Sequence, residues 1–102
     1  MPSNADLLTE AINQKKQVTA YYDGLYREMC PHVMGWKNGA MHVLSYQFAG
    51  QSSSGLPPEG QWKCMDVDGL SQLTVRDGLW HTGTTHGQPQ TCVDQILAEV
   101  PY

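Results

Sequence analysis

The chain is expected to fold as a mainly β domain, a small barrel or strongly curled sheet of about five strands in an antiparallel meander, preceded by one helix. Three observations predict it. Short runs of β-branched and aromatic residues alternate in polarity with a period of two, as half-buried strands do. Four dipeptides, Asp23-Gly24, Asn38-Gly39, Asp68-Gly69 and Asp77-Gly78, punctuate those runs. Asn-Gly and Asp-Gly are the pairs best suited to two-residue type I′ hairpins. Finally, 102 residues hold one modest core, and a sheet this small protects its edges by closing on itself.

The elements follow in order. Asn4 or Ser3 caps a helix over about 4–15, with Leu7, Leu8, Ala11 and Ile12 on one face and Lys15 and Lys16 at its C-terminal end. Gln17–Pro31 is the first hairpin, turning at Asp23-Gly24. That turn sets a register in which Tyr22 faces Leu25, Ala20 faces Arg27 and Val18 faces Met29 on the more apolar side. Gln17, Thr19, Tyr21, Tyr26, Glu28 and Cys30 take the other side.

Pro31 lacks a backbone donor and predicts a bend or an edge. His32–Lys37 continues as strand, Asn38-Gly39 turns, and Ala40–Phe48 returns with Met41, Val43 and Ser45 on one side. His42, Leu44, Tyr46 and Phe48 take the other. Ala49–Gln61 reads as an exposed loop. Trp62–Val67 and Leu70–Arg76 are the last two strands of a barrel spanning about 17–76, joined by a hairpin turn at Asp68-Gly69. In the tail, 79–102, Cys92–Val100 fits a closing strand by the alternation of Ile96, Ala98 and Val100, or else a short helix. The whole is one domain over 1–102.

Composition excludes some functions. The formal net charge is −4, with six Lys and Arg in all, which disfavours nucleic acid bound through basic patches. The N-terminus lacks the apolar run of a leader, and nothing approaches the roughly 20 apolar residues of a membrane span, so no membrane partner is expected. Cys30, Cys64 and Cys92 are an odd and sparse set, unlike a disulfide framework. A reduced, cytoplasmic protein without cofactors is the expectation. Three tryptophans and five methionines are generous for one small core, which points to a homodimer.

In order along the chain stand Ala11-Ile12, Tyr22, Gly24, Arg27 and Pro31, then Gly39, Met41-His42-Val43 and Tyr46, and last Lys63, Met65, Val67, Asp68 and Leu70. This series resembles the WYL domain of bacterial regulators over about Leu7 to Arg76, with Met41-His42-Val43 in place of the name-giving Trp-Tyr-Leu. Of two basic residues in the family's closing motif, the first is Lys63 here and the second is Gly69. The resemblance implies an SH3/Sm-like small barrel of a kind that usually follows a helix-turn-helix domain; this one is expected to stand alone, and so to regulate in trans or bind its ligand for another purpose. Its implied role is a non-catalytic regulatory or sensor module for a small anionic or nucleotide-like ligand. The alternative is a module for single-stranded DNA or RNA in transcription-related regulation.

The candidate ligand site is Arg27, Tyr22, His42, Tyr46 and Lys63. A guanidinium offers a planar fork to carboxylate or phosphate, and tyrosines stack on rings. The competing reading has Arg27 satisfied by Asp66, Asp68 or a carbonyl, with the tyrosines in the core. Cys30, His32, His81, His86 and Cys92 are weak zinc candidates whose spacing matches no standard pattern, so no metal is expected. A nucleophilic Cys30 or Cys64 with His42 as base lacks an orienting group and a recognisable oxyanion site, so no enzyme is expected. Glu28 and Asp66 read as solvated or pairing carboxylates, and Trp36, Trp62 and Trp80 as core or interface anchors.

Overall fold

A computed structural model describes residues 3–51, 55–56, 60–81 and 92–100. The fold is mainly β with one N-terminal helix, a small barrel-like sheet as expected. Helix α1 spans Asn4–Gln14. Ser3 caps it: its Oγ accepts from the Asp6 amide at 3.1 Å, while the Asp6 carboxylate accepts from the Ser3 amide at 3.3 Å. This reciprocal pair satisfies two otherwise orphaned donors. Leu8, Ala11 and Ile12 are buried, and Leu7 lies at the margin of the stripe. Lys15 ends the helix in the left-handed region, φ 52°.

Among the described residues six antiparallel strands follow: β1 Gln17–Tyr22, β2 Leu25–Lys37, β3 Ala40–Gly50, β4 Gln61–Asp66, β5 Ser71–Arg76 and β6 Gln95–Glu99. The order is β4-β3-β2-β1-β5, with β6 on β2. The first hairpin has the expected register, Val18 opposite Met29, Ala20 opposite Arg27 and Tyr22 opposite Leu25. Asp23 and Gly24 both have positive φ, as do Asn38 and Gly39, which is the backbone a type I′ turn requires.

Strand β2 is long, and β1 and β6 divide one of its edges. Residues 25–29 pair with β1, and 33–36 pair with β6. Pro31 falls at that junction. The β2–β3 register shifts between Pro31 and Val33, so the missing donor sits at a bulge where continuous pairing is already interrupted. The tail therefore closes as a strand, and the Val100 amide donates to the His32 carbonyl at 2.8 Å beyond it.

One expected hairpin is absent among the described residues. At Asp68-Gly69 the chain makes a 3-10 turn over Val67–Gly69, and β4 and β5 pair with β3 and β1, not with each other. Neither Asp68 nor Gly69 has positive φ. Instead Val67 and Leu70 insert into the core, and Asn4 Nδ2 donates to both of their carbonyls, at 3.0 and 2.9 Å. After Asp77-Gly78 no strand follows among the described residues up to 81. The Gln17 side-chain amide holds this segment by donating to the Leu79 carbonyl at 2.6 Å.

The cysteines also depart from expectation. Cys64 and Cys92 form a disulfide, leaving Cys30 as the free thiol. The disulfide joins β4 to the residues that lead into β6. Neither Cys64 nor Cys92 is therefore a buried reduced hydrophobe.

The strand period sorts the core into two layers. Val18, Ala20, Met29, Met34, Val43 and Met65 pack with α1, Val67, Leu70 and Val100. The opposite face carries Val33, Cys92 and Val93 with Leu44 against them.

Candidate functional site

Arg27 lies on the α1-facing side of the sheet, as its pairing with Ala20 dictates, and it is only 4% exposed. Nη1 donates to Gln47 Oε1 at 3.3 Å and Nη2 to the Tyr22 carbonyl at 3.4 Å, both near the long limit. The guanidinium carbon stands 5.4 Å from the centroid of the Tyr22 ring. Buried Nε has no hydrogen-bond partner. Among the described residues no carboxylate pairs with Arg27; neither Asp66 nor Asp68 does. A guanidinium has five N–H donors, so most of its capacity is unused. Burying such a charge is costly unless an anion answers it.

Gln47 completes this cluster. It is fully buried, and its Nε2 donates to the carbonyls of Ala49 at 3.1 Å and Gln51 at 2.8 Å. Those bonds fix the amide so that Oε1 faces Arg27. Sequence reasoning did not single out Gln47, although the alternation of β3 places it on the inward side with Val43 and Ser45. Ser45 is likewise fully buried, and its Oγ has no hydrogen-bond partner.

The other expected ligand residues divide between the faces. Tyr22 stays with Arg27, and its hydroxyl accepts from the Asp66 amide at 3.1 Å. Lys63 is half-buried opposite Ser45 on β4, and it is not among the partners of Arg27. His42 and Tyr46 project from the reverse side of β3. His42 lies opposite Asp66, with Nδ1 3.3 Å from the Ala40 carbonyl oxygen.

Tyr46 joins an aromatic cluster: its ring meets Trp62 edge-on at 5.2 Å between centroids, and His32 lies 4.7 Å from both Trp62 and Trp80. Phe48 and His81 stack at 4.1 Å beside them. Trp62 and Trp80 thus sit in a packed layer, whereas Trp36 is partly exposed. Of the five residues expected to share one site, the fold brings only Arg27 and Tyr22 together, and it adds Gln47 to them.

Among the metal candidates, Cys92 is oxidised to Cys64, and His86 lies outside the described residues. His32 is fully buried, with Nδ1 2.8 Å from the Cys30 carbonyl oxygen. Among the described residues no three His, Cys, Asp or Glu side chains gather around one point.

Cys30 is fully buried, and that burial pushes its thiol from an ordinary 9.0 up to about 11, although the His81 amide donates to Sγ at 3.3 Å and Arg76 is nearby. The raised value favours the neutral thiol in the folded state. Its contribution to stability is full below 9.0 and is lost as pH rises from there through about 11. A thiol held neutral at physiological pH is a poor nucleophile.

No helix among the described residues is long and apolar enough to cross a membrane. Comparison with models of known protein families, with curated proteins and with solved structures returns no match.

Proposed function

We propose that this chain is a non-catalytic, WYL-like sensor module whose Arg27, with Gln47 and Tyr22, takes a small anionic or nucleotide-like ligand. The observation that carries the reading is a buried arginine with an unpartnered Nε and, among the described residues, no carboxylate paired with it. A carboxylate or phosphate completes the hydrogen bonding of the fork, and in this low-dielectric setting the charge-assisted bonds are strong. The Tyr22 ring beside the guanidinium supplies a stacking surface for a base or other ring.

Single-stranded nucleic acid is the competing ligand, and the net charge of −4 weighs against it. The Cys64–Cys92 disulfide favours an oxidising setting over the cytoplasmic one expected from the sequence. Self-association is part of the same reading, supported by the exposed Ile96 and Leu97 on β6. A monomeric mass by light scattering contradicts that part alone.

Thermal denaturation with Arg27→Met tests the site. Without ligand the variant is expected to be more stable by about 1 kcal/mol, since it removes an unanswered buried charge. Adenosine monophosphate and inorganic phosphate are expected to raise the melting temperature of the parent with concentration, and to leave Arg27→Met unmoved. An equal ligand-induced rise in both proteins overturns the site. A larger rise with an eight-nucleotide single strand than with either small anion favours the nucleic-acid reading.

A further inference from the structure

A cavity of about 350 Å³ opens between the start of α1 and the 3-10 turn. The first turn of α1, the Asn38-Gly39 end of the β2–β3 hairpin and the 3-10 turn enclose it. Its lining includes Trp36, Met41, Val67, Asn4 and Asp68, and it does not include Arg27, Tyr22 or Gln47. We propose that this cavity is a second binding site, for a small organic cation that carries an apolar or aromatic body and N–H donors.

Charge decides the sign of the ligand. Among the described residues Asp68 is the one charged side chain in the lining, it is exposed, and it forms no ion pair. No described lysine or arginine lines the cavity. A helix N-terminus ordinarily attracts anions. Here the Asp6 carboxylate, which accepts from the Ser3 amide, and Asp68 each carry a full negative charge against the roughly half positive charge of the helix end. The site is thus left with net negative character.

Shape and hydrogen bonding narrow the class. Trp36 is 40% exposed at the rim although it is a large aromatic, and it opposes half-buried Met41 across the β2–β3 pair. An indole face and a thioether together suit a flat or aliphatic body, and the indole favours an adjacent cation. Asn4 donates with Nδ2 to two carbonyls of the 3-10 turn, which leaves its Oδ1 as an acceptor for the ligand. An ammonium group between Asp68 and Asn4 finds two acceptors, with its apolar body against Trp36.

The test is a ¹H–¹⁵N titration of the full chain, following the Trp36 indole N–H. The probes are phenethylammonium and, as an anion of similar shape, phenylacetate. The expected result is a saturable Trp36 shift with phenethylammonium and an affinity for phenylacetate at least fivefold weaker. Asp68→Asn, a surface change with no ion pair to break, is expected to weaken the ammonium at least fivefold while leaving the melting temperature in place. Arg27→Met is expected to bind it as the parent does, which separates this site from the anion site. Equal response to the two probes, no saturable shift with either, or unchanged affinity in Asp68→Asn overturns the proposal.

Discussion

Replacing Gly35 by alanine is expected to destabilise the protein by about 3 kcal/mol, a fall in melting temperature of roughly 10–20 °C for a domain of this size. Gly35 is buried in β2 opposite Ile96 of β6. A Cβ there would collide with the Gln95 carbonyl oxygen and with Val93 Cγ1. Both neighbours are constrained. Gln95 belongs to a paired strand, and Val93 follows a cysteine tied to β4. The substitution must therefore push β6 off β2, taking Val100 out of the core beneath α1. Amide exchange is the readout: protection lost across β6 but retained in the β1–β2 hairpin. Unchanged protection across Gln95–Glu99 contradicts this role of β6.

Reduction of the Cys64–Cys92 disulfide, or its replacement by paired serines, is expected to cost about 3 kcal/mol. The bond closes a loop with a sequence separation of 28, and the loss is mainly the regained freedom of the unfolded chain. It also tethers the segment leading to β6, so amide protection in β6 is expected to fall with it. Cys30 does not substitute as a partner, since its buried thiol titrates at about 11 and exchange proceeds through the thiolate. Urea denaturation with and without reductant measures the difference. Coincident curves contradict a contribution from the disulfide.

The parts of the fold legible in the sequence are those set by local chemistry. Asp23-Gly24 and Asn38-Gly39 specify turns through the positive φ that those residues tolerate, and from them follow the whole register of the first hairpin and that of the second as far as Val33. Asp68-Gly69 has the same composition as the first of these and folds otherwise, because buried Val67 and Leu70 flank it and Asn4 binds their carbonyls. That outcome depends on a residue more than sixty positions away. The disulfide is illegible for the same reason, as spacing does not encode which cysteines the sheet brings together.

The candidate site divides along the same line. Arg27 and Tyr22 share a face because one turn sets both. His42 and Tyr46 fall on the opposite side of β3 because the odd-numbered Val43 and Gln47 enter the α1-facing layer. The alternation along β3 already separated those two sets; which set faced Arg27 depended on the register between β2 and β3, where two shifts intervene.

Whether Arg27 receives an anion is reported most directly by its unpartnered Nε–H. Selective ¹⁵N labelling of arginine allows that proton to be followed while inorganic phosphate and adenosine monophosphate are added. A saturable downfield shift of the Arg27 Nε–H is expected as it gains an acceptor, with the Arg76 signal, held by Gln17, left in place. Saturation of the protein by either ligand with the Arg27 Nε–H unmoved contradicts an anion site at Arg27.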